Sequence, residues 1–306
     1  MRRVAIIGST GQLGSDLLRV LRPTTPPQDS LFPSPSTGEG EGGGEVFPLS
    51  HHDIEITDPD SVQRALAGIR PDVVINCAAF VRVDECEDRP EEALRVNALG
   101  ALHVARACAE LNALCVYIST DYVFDGRKAA PYTEEDPPNP LNVYGISKLC
   151  GEHFVRTSSP RHLIVRTSGL YGVAGSRGKG GNFVETMVRL AKEGKPVRVV
   201  DDQVLAPTYT RDLAEAIWRL LERRAAGVVH ITNSGQCSWF EFARTIFDTL
   251  AIEADLEPVT SEVYGAKARR PAYSVLGSVR LEELGLSPLR PWPQALEAYL
   301  REKGHL

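Results

Sequence analysis

The sequence of 306 residues lacks any apolar stretch that approaches the length needed to cross a bilayer. Two arginines and a short apolar run open the chain, but the glycines of MRRVAIIGSTG interrupt that run too early for a signal peptide. We therefore expect no membrane partner, and we interpret the amino terminus as a first strand.

The sequence also lacks paired cysteines and basic clusters. Its six cysteines show no CxxC spacing, and several lie in apolar runs, which is typical of buried thiols in a reducing compartment. The formal net charge is −6, and no Lys/Arg-rich run is interleaved with aromatic residues. These absences predict a cytoplasmic protein without a nucleic acid partner.

What the sequence does contain is an alternation of strand and helix patterns. The apolar runs RVAII, DVVIN, CVYIS and HLIVR alternate with helical patterns. The alternation predicts an α/β fold with a doubly wound parallel sheet, covered by helices on both faces. The longest helix is expected from about Pro90 to Asn112, because small apolar residues recur along one of its faces.

The pattern changes after Arg166, where glycine-rich loops and prolines become frequent. We predict a smaller substrate-binding lobe from residues 169–208 and 233–306. Residues 1–168 and 209–232 would form the nucleotide-binding domain. The Pro, Gly, Ser and Thr-rich residues 23–45 are interpreted as a flexible surface insertion, with a Pro-rich docking segment as the alternative.

A glycine-rich turn lies between the first strand and the first helix, in VAIIGSTGQLG. Gly8 permits a tight turn, Gly11 lets backbone amides approach a pyrophosphate, and Gly14 allows the helix to lie close to the sheet. The spacing is GxxGxxG rather than GxGxxG, so glycines that serve only a tight turn are the alternative. The position in the first βαβ unit favours a Rossmann-type dinucleotide site.

The end of the second strand bears on the choice of cofactor. Ser50, His51 and His52 stand where an acidic residue would favour NAD and repel a 2′-phosphate. NADPH is therefore tolerable at this position, with NADH also possible, although no arginine positively selects NADPH. We interpret the two histidines as loop residues and predict no metal site from them, because no third ligand accompanies them.

A tyrosine and a lysine four residues apart in YGISK share one face of a helix. The ammonium of Lys148 would lower the pKa of Tyr144 from about 10, which makes the phenol a proton donor or acceptor. The alternative is a half-buried tyrosine beside a solvated lysine. The strand YIST ends at Thr120, where sheets of this kind bind ligands, so its hydroxyl can bond the oxygen on which Tyr144 acts.

The glycine turn, the YIST strand end and YGISK together resemble the extended short-chain dehydrogenase/reductases. More closely, STDYVFDG, PLNVYGISKLCGE, RTSGLYG, APTYTRDLA and RRPAYSVL are similar to motifs of the dTDP-4-dehydrorhamnose reductase family. The resemblance covers nearly the whole chain except the insertion. It implies reduction of the 4-keto group of a dTDP-linked 6-deoxyhexose with NADPH or NADH, giving dTDP-L-rhamnose in that family.

The resemblance also implies residue roles. Tyr144 would protonate the new alkoxide, Thr120 would orient the carbonyl, and Lys148 would lower the tyrosine pKa and hold the nicotinamide ribose, while the nicotinamide supplies the hydride. The implied cofactor-binding residues are Gly8, Ser9, Thr10, Gly11, Gln12, Leu13, Gly14, Ile56, Ala78, Ala79, Tyr144, Lys148 and Thr167. Asn97 fits the pattern with either a direct or a supporting role.

The substrate-binding residues implied by the resemblance are Asn182, Phe183, Gln203, Pro207, Thr208 and Arg270. An arginine suits a diphosphate because it is always charged and can form two parallel hydrogen bonds. The alternative for Arg270 is that it is merely one of the basic residues in KARRP.

The sequence departs from the family pattern at positions close to binding surfaces. Gly169 stands where the family has a tryptophan beside the sugar, Val81 replaces a threonine, and Leu205 stands where glycine is common. Glu85 replaces a lysine, and Glu55 replaces an aspartate. A different sugar, or weaker binding of the same sugar, therefore stays open.

Two other functions stay open on the same scaffold. One is a non-catalytic NADP-binding regulatory subunit, as in the similar methionine adenosyltransferase β-subunit branch. The other is a nucleotide-sugar epimerase or dehydratase, which tightly retained cofactor would indicate. A homodimer is compatible with the sequence, which does not fix the oligomeric state.

Overall fold

The computed structural model describes residues 2–22, 45–175 and 180–306. The predicted insertion lies outside the described residues, except that Glu45 begins a strand. The strands are β1 (Arg3–Ile7), β2 (Glu45–Leu49), β3 (Val73–Asn76), β4 (Leu114–Thr120), β5 (His162–Thr167), β6 (Leu170–Tyr171), β7 (Val197–Val200), β8 (Val204–Leu205), β9 (Thr208–Tyr209), β10 (Gly227–His230), β11 (Asn233–Ser234), β12 (Cys237–Ser238), β13 (Leu256–Val259) and β14 (Leu289–Pro291).

Helices connect the strands within the described residues. They are α1 (Gln12–Leu21), α2 (Pro59–Ile69), α3 (Val83–Asp88), α4 (Pro90–Leu94), α5 (Gly100–Glu110), α6 (Val143–Ser158), α7 (Phe183–Lys192), α8 (Thr210–Glu222), α9 (Trp239–Leu250), α10 (Ser261–Tyr264), α11 (Arg280–Glu283) and α12 (Trp292–Lys303). The long helix expected from Pro90 to Asn112 is interrupted by a π-helical turn at Arg95–Leu99 and ends at Glu110.

Six parallel strands form the central sheet in the order β2-β1-β3-β4-β5-β10. The predicted α/β fold with a doubly wound parallel sheet is confirmed. The order reverses direction between β1 and β3, so the carboxyl ends of these two strands border the crevice where open α/β sheets bind their ligands.

Helices cover the sheet on both faces. Because side chains alternate along a strand, Ile6 packs with α1 and α8 on one face, and Ala5 and Ile7 pack with α2 and α5 on the other. Burying each large aliphatic side chain contributes about 1.5–3 kcal/mol, so the two cores hold the sheet as a rigid base for the loops at its edge.

A further hydrophobic core lies outside the central sheet. Short strands pair between residues 169–208 and residues 233–306: β7 with β13 in parallel, and β8 with β12 antiparallel. Their shared core includes the aromatic side chains of Tyr171, Phe242 and Trp292. Within the part of the chain that the structure describes, no helix is long and apolar enough to span a membrane.

Candidate active site

The glycine-rich turn leaves no room for side chains. Gly8 has a φ of +76°, and a Cβ there would lie 3.1 Å from the backbone nitrogen of Ala78. A Cβ on Gly14 would lie 2.3 Å from the carbonyl oxygen of Gly8, so the first turn of α1 packs directly on the loop. Gly11 precedes α1 as its N-cap. The N-terminal amides of α1 thus form the open cradle that a pyrophosphate requires.

Among the buried polar atoms that have no hydrogen-bond partner within the described residues are Gln12 Oε1, at the start of α1, and Thr167 Oγ1, at the carboxyl end of β5. Gln12 Nε2 donates to the carbonyl of Leu170, at 3.3 Å. Because unpaired buried polar groups cost free energy, these atoms indicate that a polar ligand completes the site. The residues present therefore fit a dinucleotide, and Thr167 and Gln12 would pair with it.

The other predicted residues of the turn differ in exposure. Ser9 and Leu13 are buried, whereas Thr10 is exposed. Ile56 is buried in the core, close against Gly100, where a Cβ would lie 2.8 Å from Ile56 Cδ1. The backbone nitrogen of Ala78 donates to Asn76 Oδ1, at 3.1 Å, and Ala79 is half-buried in the same loop.

A carboxylate lies at the end of β2, which the sequence analysis did not place there. Asp53 Oδ2 accepts hydrogen bonds from the backbone nitrogen of Ser50, at 2.7 Å, and from Ser50 Oγ, at 2.6 Å. These hydrogen bonds lower the pKa of Asp53, so the group is ionised at neutral pH. His51 and His52 are exposed, and His51 Nε2 lies 3.4 Å from Glu55.

Asn97 supports the loop after β3 rather than leaving its side chain free. Its Oδ1 accepts from the backbone nitrogen of Phe80, at 2.8 Å, and its Nδ2 donates to Phe80 O and to Ser147 Oγ, at 3.0 and 2.9 Å. These contacts favour the supporting role for Asn97, because they tie α6 to the edge of the sheet.

Thr120 and Tyr144 come together at the carboxyl end of β4. The Thr120 side chain is a hydrogen-bond partner of the Tyr144 phenol, and it also donates to Asp121 Oδ1, at 3.0 Å. Asn142 caps α6 by accepting from the backbone nitrogen of Gly145, which fixes Tyr144 in the first turn of the helix. The arrangement places a phenol and a hydroxyl where one substrate oxygen could meet both.

The pKa of Tyr144 is raised, whereas its spacing from Lys148 predicts a lowered pKa. Burial raises the pKa of the Tyr144 phenol, and this effect outweighs the hydrogen bond with Thr120, which lowers it. The expected lowering by Lys148 is therefore wrong for the protein without cofactor. The physical reason is that loss of water disfavours the phenolate more than its neighbours stabilise it.

Lys148 is itself deeply buried, with 2% of its surface exposed, and burial lowers its pKa to about 7. Glu152 opposes that decrease from the next turn of α6. The carboxylate of Glu152 also forms a buried ion pair with Arg166, at 2.7 Å, and accepts from Ser119 Oγ, at 2.5 Å. The solvated-lysine alternative is thus wrong: Lys148 faces the interior of the site.

Asp121 is a buried carboxylate at the strand end to which the sequence motifs assigned no role. It accepts from Thr120 Oγ1, from Ser168 Oγ at 2.9 Å and from Ser274 Oγ at 2.6 Å, and burial raises its pKa. Ser274 belongs to the C-terminal RRPAYSVL motif, so Asp121 joins that motif to the strand end. STDYVFDG contains this aspartate, but only the fold shows which hydroxyls surround it.

Arg270 forms a two-pronged ion pair with Asp84. Its Nη2 lies 2.7 Å from Asp84 Oδ2, and its Nη1 lies 3.2 Å from Asp84 Oδ1. The guanidinium is also a hydrogen-bond partner of Tyr122, whose ring meets the Tyr144 ring edge to face at 5.9 Å. Arg270 is therefore half-buried and adjacent to the Tyr144 site rather than a solvated surface residue.

The remaining predicted substrate-binding residues are engaged within the smaller lobe. Asn182 caps α7 by accepting from the backbone nitrogen of Glu185, and Phe183 packs against Trp239 with ring centroids 4.6 Å apart. Gln203 Nε2 donates to Ser261 Oγ, at 2.8 Å. Pro207 and Thr208 are buried, and the backbone nitrogen of Thr208 donates to Gly169 O, at 3.2 Å. Their contacts with a substrate stay predictions.

Comparison with known proteins places this site in a family. The sequence profile described as RmlD substrate binding domain matches residues 1–304. The chain is 41% identical to the spore coat polysaccharide biosynthesis protein SpsK of Bacillus subtilis (strain 168), covering 99% of this chain and 98% of that protein. It is also 41% identical to a dTDP-4-dehydrorhamnose reductase of Mycolicibacterium smegmatis, over 83% of this chain and 77% of that protein.

A solved structure shows the same likeness in three dimensions. The dTDP-4-dehydrorhamnose reductase of Bacillus anthracis, solved in complex with NADP, superimposes with a TM-score of 0.88 at 38% identity. The match covers 98% of this chain and 99% of that structure. The glycine cradle, the Thr120 and Tyr144 pair and these matches over the full length lead to one conclusion: the chain belongs to the RmlD substrate binding domain family, that of the dTDP-4-dehydrorhamnose reductases.

Proposed function

We propose that this chain is an NADPH-dependent oxidoreductase that reduces the 4-keto group of a dTDP-linked 6-deoxysugar. The expected reaction is dTDP-4-dehydro-L-rhamnose to dTDP-L-rhamnose. The observation that carries the proposal is the contact between the Tyr144 phenol and Thr120 at the carboxyl end of β4, with Lys148 one turn further along α6. The relatives named reductases, and the NADP in the similar structure, support the same reaction class.

Proton transfer to the substrate would come from Tyr144. Because burial raises its pKa, the phenol holds its proton at neutral pH and can donate it to the oxygen that gains negative charge. The Thr120 hydroxyl, which donates to Asp121 in this structure, would turn to donate to the same oxygen. The ammonium of Lys148 would then stabilise the resulting tyrosinate.

The cofactor would lie along the glycine cradle. The amides around Gly11 would hold its pyrophosphate, and the unpaired oxygens of Gln12 and Thr167 would pair with its polar groups. When bound, NADPH supplies the hydride for the keto carbon. Arg270, beside Tyr122, is the proposed contact for the substrate diphosphate.

Three broader assignments belong to this proposal. We retain the division into a nucleotide-binding domain and a substrate-binding lobe, because the lobe segments pair their short strands with each other. We infer a cytoplasmic enzyme, because its substrates, NADPH and a nucleotide sugar, are made in the cytoplasm. A homodimer stays a prediction.

The proposal can be tested by following NADPH oxidation with freshly generated dTDP-4-dehydro-L-rhamnose, in parallel with NADH. The wild type should turn over, and Tyr144→Phe should lose at least about a hundredfold in kcat, since general acid catalysis contributes that much. Tyr264→Phe is a matched control, because Tyr264 is 58% exposed. NADPH binding should be retained in both variants.

Two results would contradict the proposal. Absence of turnover with NADPH binding intact would favour a regulatory subunit, or another keto sugar if dTDP-4-keto-6-deoxy-D-glucose is reduced instead. Cofactor that stays bound through purification and returns its hydride to the same sugar would indicate an epimerase.

A further inference from the structure

We propose that Tyr117 is a positioning residue for Lys148. Its ring lies against the buried ammonium of Lys148, and its hydroxyl fixes that ring to the π-helical turn at Arg95–Leu99. The inference rests on the proposed function, in which Lys148 supports Tyr144. It assigns a role to a tyrosine in the middle of a core strand, a position that would otherwise be regarded as packing only.

The ammonium of Lys148 lies over the Tyr117 ring. Lys148 Nζ is 4.0 Å from the ring centroid, and both side chains are almost completely buried, at 2% and 1% exposed. A cation within about 6 Å of a ring face is attracted to it, and the attraction is strongest when both groups are removed from water. The ring therefore replaces part of the hydration that Lys148 loses on folding.

The Tyr117 ring has a fixed orientation. Its backbone lies in β4, between Asn76 of β3 and Ile164 of β5, and its hydroxyl donates to the carbonyl oxygen of Asn97, at 2.8 Å. Asn97 lies in the π-helical turn, where the helical hydrogen-bond ladder is locally altered. The interrupted helix thus supplies the acceptor that anchors the ring beneath Lys148.

Gly151 keeps space for this anchor. A Cβ at Gly151 would lie 2.4 Å from the Tyr117 hydroxyl oxygen and 2.4 Å from the carbonyl oxygen of Asn97. Position 151 therefore requires glycine because those two oxygens approach its Cα closely, and not because of its backbone conformation. Gly151 is three residues beyond Lys148 on α6, so one face of the helix carries the ammonium and leaves room for its support.

Several titratable groups surround Lys148. Glu152 on α6 and Cys77 after β3 raise its pKa, Tyr144 precedes it by one turn, and Cys115 and Cys150 lie close to the Tyr117 phenol. The carboxylate of Glu152 is shared with Arg166. Burial keeps the pKa of Tyr117 well above its ordinary value, so the ring stays neutral and retains its donor hydroxyl.

The test replaces Tyr117 by phenylalanine and by phenylalanines carrying increasing numbers of fluorine atoms. Fluorination weakens the negative face of the ring at nearly constant volume, so folding should be retained. The charge state of Lys148 is read from the NMR signal of 13Cε-labelled lysine in the protein without cofactor. The chain has only seven lysines, so Lys148→Met identifies the signal.

We expect Tyr117→Phe to lower the Lys148 pKa only slightly, because the ring remains while its hydrogen bond to Asn97 is lost. Successive fluorination should lower that pKa in steps, to a total of about one unit, which corresponds to a cation–π attraction of about 1.4 kcal/mol. The basic limb of the pH profile of kcat/KM should move to lower pH by the same amount. Fluorination at Phe242, which is buried in the smaller lobe, is the matched control and should change neither quantity.

An unchanged Lys148 pKa across the fluorinated series would overturn the inference and leave Tyr117 as a packing residue. A stepwise decrease in the pKa of a protein that reduces no keto sugar would support the contact between Tyr117 and Lys148 while the proposed function fails. The two failures are therefore distinguishable.

Discussion

The side chain of Leu205 occupies the space into which a side chain at Gly169 would project. A Cβ at Gly169 would lie 2.7 Å from Leu205 Cδ1 and 3.2 Å from the Cα of Pro207, and Gly169 has a φ of +53°. Both positions depart from the dTDP-4-dehydrorhamnose reductase pattern in sequence. The structure shows that the two departures meet: the aliphatic side chain of Leu205, from β8, occupies the space that a side chain at Gly169 would need.

The contact predicts that Gly169 and Leu205 are energetically coupled. Gly169→Ala should lower the free energy of unfolding by about 1–3 kcal/mol, because the new methyl group overpacks against Leu205. In Gly169→Ala/Leu205→Ala the loss should be smaller than the sum of the single losses by about 0.5–3 kcal/mol. Urea unfolding of the four proteins measures the coupling.

Gly227→Ala is the matched control for backbone strain. Gly227 has a φ of +83°, but a Cβ there meets nothing within 4 Å. The free energy of unfolding lost in Gly227→Ala should add to that lost in Leu205→Ala, with no coupling energy between the two substitutions. Strict additivity for Gly169 as well would mean that the loops relax away from each other.

A second prediction concerns Arg270 and its neighbour in the chain. Arg270→Ala should raise the KM for the dTDP-sugar at least about tenfold and change kcat less, since truncating a charged contact to a ligand costs more than about 1.4 kcal/mol. Arg269→Ala should leave both constants unchanged, because Arg269 is exposed. Equal effects of the two substitutions on KM would show that Arg270 acts only through the general positive charge of KARRP.

The glycine cradle gives a third prediction. Gly14→Ala should abolish NADPH binding measured by fluorescence titration, because its Cβ would lie 2.3 Å from the carbonyl oxygen of Gly8 and the loop would have to move. Gly68→Ala in α2 is the control, since nothing lies within 4 Å of its Cβ. That variant should bind NADPH normally and gain about 0.5–1 kcal/mol in stability. Normal NADPH binding by Gly14→Ala would place the cofactor elsewhere.

The buried ammonium of Lys148 predicts a specific dependence of stability on pH. Burial lowers its pKa from 10.5 to about 7, so between these values the unfolded chain binds more protons than the folded protein. The contribution of Lys148 to folding is therefore unfavourable below about pH 7 and disappears as the pH rises towards 10.5. Replacing the lysine by an uncharged side chain removes this unfavourable contribution to the free energy of folding.

We expect Lys148→Met to be inactive and yet more stable than the wild type at pH 6, by on the order of a few kcal/mol. The difference should shrink as the pH approaches 10. Thermal unfolding of the cofactor-free proteins across this range measures it. Lys128→Met serves as control, because Lys128 is half-exposed and ion-paired with Asp136. A stability difference for Lys148→Met that does not vary with pH would contradict the lowered pKa.

The local pattern of the sequence was sufficient to predict four strands of the central sheet, two of which lead into the site. The runs RVAII, DVVIN, CVYIS and HLIVR form β1, β3, β4 and β5, because apolar β-branched runs can be buried on both faces of a parallel sheet. The helix expected from Pro90 was predicted without its π-helical turn. That turn accompanies a tertiary contact, since Tyr117 from another element donates to Asn97.

By itself the sequence determined the α/β fold, the glycine turn between β1 and α1 and the four-residue spacing of Tyr144 and Lys148, because these depend on the periodicity of one segment. Only the tertiary structure decided the ionisation of those two side chains, the pairing of Arg270 with Asp84 and the contact of Leu205 with Gly169. A pKa depends on the water excluded by all surrounding segments, and such contacts join residues far apart in the chain, so neither can be read from the spacing within a single segment.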